Sequence, residues 1–245
     1  MKAGSLFLLR NNTVKIKFLI AGLLFVVCFY SCKKKEQAPP APTPDITPPS
    51  IALIGSDPFY LILNSSYTDS GAKANDNIDG DVTSKIISSG SVNPNLTGAY
   101  VITYTVSDNA GNSATVNRTF IVYNHASLTL SGTYLSNGKN YIVKDSVAAF
   151  PPNTTFNQMV IFSTTINNRI GFNKFANYSN NVSIYADISG TTITIPSQTA
   201  PNIGTLSETH TFQGTGTVTG TKFSIHFTDV NVTAGGTADD YEWFN

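Results

Sequence analysis

Charged side chains are scarce in this 245-residue sequence, and cysteine, tryptophan and methionine are almost absent. Lys, Arg, Asp and Glu make up only 12% of the chain, with 15 basic and 15 acidic residues. So few charges cannot cover the outer faces of long helices, and they leave no basic stripe of the kind that binds nucleic acid. We therefore expect no nucleic-acid partner.

The abundant residues are Thr, Ser, Asn and Gly, mixed with Tyr, Phe, Val and Ile. β-Branched and aromatic residues favour short, half-buried strands, and small polar residues favour the turns between them. The sequence therefore predicts an all-β fold. Its length allows two ordinary domains once any targeting segment is removed.

Residues 1–31 have the pattern of a secretory signal peptide. The basic residues end at Lys17, and an apolar run of 13 residues follows from Phe18 to Tyr30. A helix that spans a membrane needs about 20 apolar residues. The alternative, a permanent transmembrane anchor, would therefore require a longer run than this one.

Only two cysteines occur, Cys28 inside the apolar run and Cys32 just after it. Cleavage would leave Cys32 alone, without a partner for a disulfide. The Ser31-Cys32 junction resembles a bacterial lipobox, which implies that Cys32 becomes the lipid-modified N-terminus. The resemblance also implies an outer-membrane location, on the surface or periplasmic face, with the membrane as partner through the lipid. Residues 32–48 follow as a proline-rich linker, which we expect to be a semi-rigid spacer.

Residues 49–124 alternate between short strand-like runs and turn signals. From Tyr100 to Ser107 the apolar residues share one face, which is the period of a half-buried strand. The segments TPPSIALIG, YTDSGAKANDNIDGDVT and GAYVITYTVSDNAGN resemble the bacterial immunoglobulin-like domain related to HYR repeats. That resemblance implies a β-sandwich that acts as a spacer or adhesion module without catalytic activity. The predicted strands are 50–54, 59–63, 82–88, 100–107 and 114–123.

Aspartates crowd the DNIDGD segment, where Asp76, Asp79 and Asp81 follow Asp69. A calcium-binding EF-hand would need a glutamate at its twelfth position and flanking helices, and the sequence offers neither. We interpret the aspartates as turn residues that accept backbone N–H bonds, with calcium as the weaker alternative. We accordingly predict no metal site and no cofactor.

Arg118 falls on the apolar face of its predicted strand. A buried guanidinium without a partner would be costly. We therefore expect it to meet a carboxylate, either from the region 69–81 or from Asp108.

Residues 126–245 show no helical period, whereas period-two runs recur. Phe223, Ile225 and Phe227, for example, point to one side of a strand, with His226 on the other. About eight antiparallel strands are predicted, which can close into a barrel or pack as a sandwich, and we favour a lipocalin-like barrel. The predicted strands are 128–134, 141–147, 159–166, 182–188, 191–195, 209–214, 221–229 and 241–244.

The phrase YADISGTTITIPSQT, followed by GTGTVTGTKFSIHF, resembles the C-terminal β-domains of surface lipoproteins from glycan-utilising Gram-negative bacteria. The sequence contains no G-x-S-x-G, H-E-x-x-H, P-loop or Rossmann motif, and we predict no enzyme and no catalytic residues. Sugars bind by stacking on aromatic rings. The candidate stacking residues are Tyr178, Tyr185, Tyr241 and Trp243, and the alternative for each is a place in the barrel core.

Three functions remain open. The first is a non-catalytic lipoprotein that displays a binding domain, for a glycan, on an immunoglobulin-like spacer. The second is an adhesion or envelope-assembly protein that binds other envelope proteins, which predicts an exposed apolar patch. The third is a lipocalin-like carrier of a small apolar ligand, which predicts an internal cavity.

Overall fold

The computed structural model describes residues 41–145, 155–173, 175–178, 182–203 and 206–245. The predicted signal peptide, Cys32 and residues 33–40 of the predicted linker lie outside the described residues. The chain divides after Pro44, and residues from Asp45 to Asn245 form one compact unit. Within the described part of the chain, no helix combines the length and the apolar character that a bilayer crossing requires.

The first part of the compact unit is a sandwich of two small sheets, as predicted. Its strands are β1 (Ser50–Leu53), β2 (Phe59–Ile62), β3 (Ala72–Asp76), β4 (Gly80–Asp81), β5 (Ile87–Ser89), β6 (Gly98–Ser107) and β7 (Ser113–Tyr123). One sheet has the order β1-β3-β4 and the other the order β2-β7-β6-β5. The β2–β7 pair is parallel, and the remaining pairs are antiparallel.

The core of the sandwich follows from the period-two pattern of its long hairpin. In β6 the buried side chains are Ile102, Tyr104 and Val106, and β7 contributes Phe120 and Val122 from the neighbouring strand. Burial of each large apolar side chain stabilises the fold by roughly 1.5–3 kcal/mol before the entropic cost of ordering it. The prediction that the apolar residues between Tyr100 and Ser107 share the buried face of one strand is therefore confirmed.

Three parts of the sandwich differ from the predicted strands. β3 and the two residues of β4 are not among them. The inner face of β3 has only two small alanines, Ala72 and Ala74, beside the polar Asp76, so its sequence gives no apolar strand pattern. The predicted strand 82–88 is wrong in its first half, which forms a 3₁₀ turn over Thr83–Lys85, and only the three residues of β5 remain extended. The Asp81 side chain accepts the N–H of Thr83 and so favours the turn.

A short helix, α1 (His125–Ser131), lies between the sandwich and the second part. The predicted strand 128–134 is therefore wrong. The Asn124 side chain caps the helix by accepting the N–H of Ala126 at 3.0 Å, and Gly132 ends it with a φ of 77°. Asparagine before a helix and left-handed glycine after it are standard helix-end residues, and here they override the β-forming threonines inside.

The second part is a closed barrel of eight antiparallel strands, which confirms the barrel over the sandwich. The strands are β8 (Gly138–Asp145), β9 (Thr155–Phe162), β10 (Arg169–Phe172), β11 (Ile184–Ser189), β12 (Thr192–Ile203), β13 (Glu208–Thr219), β14 (Lys222–Asn231) and β15 (Thr237–Phe244). Neighbouring strands pair in the order β10-β11-β12-β13-β14-β15-β8-β9, with β9 closing on β10. A 3₁₀ turn (Phe175–Asn177) lies between β10 and β11.

The barrel strands differ from the prediction in several places. The predicted strand 159–166 is wrong in its second half, since β9 ends at Phe162, and β13 and β15 are longer than the predicted 209–214 and 241–244. β10 is absent from the predicted strands because RIGF is short and contains Gly171 and a charged residue. β12 runs on past Pro196, where the sequence predicts an end. A shift of register between Ile195 and Gln198 accommodates the proline, since a bulged residue needs no ladder hydrogen bond.

Aromatic side chains fill the barrel interior among the described residues. Their ring centroids lie 4.1 to 6.3 Å apart within each of two groups, in tilted, edge-on and stacked arrangements. Such packing leaves the interior of this barrel filled by its own side chains. The two groups are Tyr141, Phe172, Phe223 and Phe244, and Phe175, Phe212 and Phe227.

Candidate binding face on the barrel

Three aromatic rings stand together on the outer face of β14 and β15. Strand pairing sets His226 directly opposite Tyr241, and the next outward residue of β15 is Trp243. The rings of His226 and Tyr241 are stacked, with centroids 4.0 Å apart and planes 4° from parallel. Tyr241 and Trp243 are 6.1 Å apart at 19°. We call these three residues the aromatic cluster.

The aromatic cluster is exposed because β15 alternates strictly between the interior and solvent. Asp240, Glu242 and Phe244 are buried, whereas Tyr241 and Trp243 keep 42% and 38% of their surface exposed. Large aromatic side chains left in water at this level provide apolar contact area for a ligand. Regular strand pairing fixes both backbones, so the rings need little ordering before they bind.

Polar side chains border the aromatic cluster along the same face. Thr215 lies across the strand pair from His226, and Gln213 lies across from Thr228. Thr228 in turn donates its hydroxyl to Asp239 at 3.1 Å. An open groove of about 410 Å³ adjoins His226 here, lined in part by Gln213, Thr215 and Thr228. The face thus combines aromatic surface with hydroxyl, amide and carboxylate groups.

Tyr185, another predicted stacking residue, lies on a different side of the barrel. It is half-buried on β11, and the guanidinium of Arg169 covers its ring at 3.7 Å. Arg169 is held there by Asp187, whose two carboxylate oxygens each accept a bond of 2.7 Å. Because an arginine already occupies one ring face, this tyrosine is an intramolecular cation–π partner.

Tyr178 is also separate from the aromatic cluster. It packs against the barrel core, and its hydroxyl donates to the carboxylate of Asp229. Burial raises the pKa of Tyr178 well above its usual range, and the hydrogen bond to Asp229 raises it further. Of the four predicted residues, the structure brings only Tyr241 and Trp243 together, and a ligand-binding role for any of them stays a prediction.

The carboxylate of Asp229 joins Tyr178 to a buried histidine, which the sequence pattern does not predict. His210 Nδ1 lies 2.7 Å from Asp229 Oδ1, and its Nε2 lies 3.6 Å from the Glu208 carboxylate. His210 and Asp229 are 6% and 8% exposed. Buried polar groups that bond to one another stabilise the wall of a barrel. We assign the contact between Tyr178, His210 and Asp229 a structural role, because a substrate would have little access to it.

Comparison with known proteins identifies one segment of the chain. Residues 51–122 match the family described as bacterial surface protein, Ig-like domain. The immunoglobulin-like prediction for this segment is therefore confirmed. The match covers well under half of the chain, so it describes the sandwich and not the whole protein. No curated protein sequence matches the chain.

Solved structures give weaker similarities, and the two described here have 14% identity with this chain. A lipoprotein from Bacteroides thetaiotaomicron aligns over 80% of this chain and 100% of its own, with a TM-score of 0.33. The CBM51-2 domain in complex with GlcNAc and the INT domains of Clostridium perfringens ZmpB align over 80% of this chain and 43% of their own, with a TM-score of 0.26. This chain thus spans less than half of that Clostridium chain. At such TM-scores neither similarity supports a conclusion about function.

Proposed function

We propose that this chain is a non-catalytic binding protein, lipid-anchored at the outer membrane, and that it takes a glycan on the aromatic cluster of its barrel. The observation that carries the proposal is the exposed, parallel stack of His226, Tyr241 and Trp243 beside polar side chains. The family of residues 51–122 supports a bacterial surface location. The lipobox-like Ser31-Cys32 junction supports the anchor.

A glycan fits the chemistry of this face. The C–H faces of a sugar ring are apolar and stack on tyrosine and tryptophan, while its hydroxyls need donors and acceptors at the edge. Tyr241 and Trp243 offer the rings, and Gln213, Thr215 and Asp239 offer the polar groups. The stacked imidazole of His226 orders Tyr241 in advance, which lowers the entropic cost of binding.

One observation favours a second function, the binding of another envelope protein. Three apolar side chains, Ile142, Met159 and Ile161, are 60%, 38% and 42% exposed on the outer face of the neighbouring strands β8 and β9. Exposed apolar patches of this kind mark protein interfaces. The third alternative, an apolar-ligand carrier, lacks such support, since aromatic side chains fill the described barrel interior.

A glycan array of bacterial, plant and host polysaccharides, probed with the purified protein, tests the proposal. We expect Trp243→Ala and Tyr241→Ala to weaken binding of the selected glycan about tenfold or more, since central aromatic contacts carry most binding energy. Ile161→Ala is the matched control, because it removes an exposed side chain from the outer face of β9, which is not adjacent to β15. Loss of glycan binding in the control alone would place the glycan on the β8–β9 face and refute the aromatic cluster as its site. An array without any bound glycan would refute the glycan proposal.

A further inference from the structure

Three carboxylates from distant parts of the sequence meet in the immunoglobulin-like sandwich. Asp45 precedes β1, Asp76 is the last residue of β3, and Asp108 directly follows β6. One oxygen of each side chain lies within 4.8 Å of the others. We call these three residues the carboxylate cluster. It differs from the DNIDGD grouping that the sequence suggests, since only Asp76 belongs to both.

Asp76 has an oxygen without a partner. Its side chain is almost fully buried, at 3% exposed. Oδ1 accepts the backbone N–H groups of Ile78 and Asp79, each at 2.9 Å. Oδ2 is buried and has no hydrogen-bond partner among the described residues, so it is the oxygen that Asp76 can offer to the carboxylate cluster. A buried carboxylate oxygen left unpaired is strongly unfavourable.

Asn112 bonds both the carboxylate of Asp108 and the backbone of Asp45. Its backbone N–H and side-chain amide bond the two oxygens of Asp108 at 2.8 and 2.7 Å. The same amide donates to the backbone carbonyl of Asp45 at 3.3 Å, and Asp45 Oδ1 accepts the N–H of Thr47 at 3.1 Å. Asp108 is only 7% exposed, whereas Asp45 is half-buried. Hydrogen bonds therefore fix the carboxylate of Asp108 and the chain at Asp45.

The negative charges of the carboxylate cluster are not balanced by the described residues. Asp76 accepts two backbone N–H groups and Asp108 accepts two bonds from Asn112, and such bonds favour the ionised carboxylate. Both side chains therefore carry negative charge at neutral pH. Lys85 makes its ion pair with Asp79, at 3.7 Å, and not with the carboxylate cluster.

The other aspartates of the segment already have partners. Asp69 pairs with Arg118, and Asp81 accepts the N–H of Thr83 at 2.9 Å. Asp79 accepts two bonds from Asn109, at 2.6 and 2.7 Å. Within the described chain, the recorded ion pairs leave the carboxylate cluster without a basic partner.

We infer that Asp45, Asp76 and Asp108 form a binding site for a calcium ion. Calcium takes oxygen ligands at about 2.4 Å, so two oxygens on one ion lie at most about 4.8 Å apart, as these do. A site made only of carboxylates favours a hard cation over zinc or copper, which take nitrogen and sulfur. The irregular arrangement of three separate chain segments suits calcium better than magnesium, which demands an octahedron.

A calcium ion at this point fastens the end of the proline-rich linker to the sandwich. Asp45 lies near the end of the linker, residues 32–48, whereas Asp76 ends β3 and Asp108 directly follows β6. The ion would cross-link all three and remove the repulsion between them. Binding to the folded state alone must raise stability by mass action.

Thermal unfolding of the full chain, first treated with EDTA and then titrated with CaCl₂, tests this site. We expect calcium to raise the melting temperature by roughly 5–10 °C at concentrations far above Kd. Asp76→Asn should abolish the increase, while its calcium-free melting temperature stays equal to the wild-type value or exceeds it, because asparagine keeps the oxygen that accepts the N–H groups of Ile78 and Asp79. Asp108→Asn should also abolish the increase, but it should lower the calcium-free melting temperature, since one of the two bonds from Asn112 is lost.

Asp81→Asn is the matched control, since it changes a turn carboxylate of the same segment outside the carboxylate cluster. It should respond to calcium like the wild type. A wild-type melting temperature unchanged by calcium would overturn the site. So would an increase that persists in both Asp76→Asn and Asp108→Asn, because the ion would then bind elsewhere.

Discussion

Arg118 lies in the core of the sandwich with only 1% of its surface exposed. Its guanidinium donates to the carboxylate of Asp69 and to the backbone carbonyls of Ile54 and Gly71. Tyr104 donates its hydroxyl to the same carboxylate. The predicted carboxylate partner is therefore confirmed as Asp69. This ion pair joins β7 to the loops that follow β1 and precede β3.

Removal of Arg118 should be far more costly than removal of an exposed arginine. Arg118→Met removes the charged partner of Asp69 and a donor from the carbonyls of Ile54 and Gly71, and we expect a loss of about 3–5 kcal/mol in the free energy of unfolding. Arg169→Met is the control, since Arg169 and Asp187 are paired at 2.7 Å but remain 26% and 45% exposed. We expect it to cost about 1 kcal/mol or less. Urea denaturation of both variants measures the difference, and equal losses would contradict the role of burial.

The sequence predicts which side chains lie together only where this depends on strand periodicity alone. Tyr241 and Trp243 share a face in any extended strand, because they are two residues apart. Tyr178 instead finds Asp229 and His210, which are 51 and 32 residues away in sequence. Those contacts exist only once the barrel has closed, so no local pattern could predict them.

Two glycines let β13 approach β14 behind the aromatic cluster. A Cβ atom at Gly214 would lie 2.4 Å from the carbonyl oxygen of His226, and one at Gly216 would lie 2.1 Å from that of Ser224. Real side chains do not tolerate such distances to a rigid backbone. The glycines therefore allow an approach between these strands that any larger residue would prevent.

Gly216→Ala should destabilise the barrel because the new methyl group must push the two strands apart. Strain of this kind costs about 1–3 kcal/mol. Gly171→Ala is the matched control in strand β10, where a Cβ would meet its nearest atom at 3.9 Å. We expect that variant to change stability by no more than about 0.5 kcal/mol. Thermal melting of both variants compares them, and a neutral Gly216→Ala would show that the strands can separate freely.

Helix α1 shows why a strand was predicted at 128–134 where the chain forms a helix. Its inner sequence, SLTL, alternates like a strand, and Asn124 and Gly132 carry the opposing signal. The Asn124 side-chain amide also donates to carbonyls of Ser163, Ile166 and Arg169 in the barrel. The cap is thus part of the tertiary structure, and sequence spacing gives no information about that part.

The sandwich and the barrel belong to one compact unit and contact each other through tyrosines and backbone groups. Tyr60 and Tyr134 are stacked with centroids 4.1 Å apart, and Tyr123 meets Tyr134 edge-on at 4.8 Å. Thr97 donates its backbone N–H to the carbonyl of Thr164 at 2.9 Å. These contacts favour a fixed relation between the proposed calcium site in the sandwich and the proposed glycan face on the barrel.

Lipid attachment would give the whole molecule its location, and Cys32 is the residue that decides it. We expect cells that express the wild-type protein to incorporate a fatty-acid analogue into it and to retain it in the membrane fraction. Cys32→Ser should abolish both the labelling and the retention, because the acyl-accepting thiol is gone. Each buried methylene contributes about 0.8 kcal/mol, so two or three acyl chains hold the protein on the membrane almost permanently.

Cys28→Ser provides the matched control for this experiment. Cys28 lies inside the apolar run that the proposed signal cleavage would remove, so its substitution should leave the labelling unchanged. Labelling that persists in Cys32→Ser would contradict the anchor. A loss in both variants would point to failed export, since only an exported chain reaches the enzymes that attach the lipid. Retention in the membrane fraction by Cys32→Ser without label would instead indicate that the apolar run stays uncleaved and holds the protein as an ordinary membrane segment.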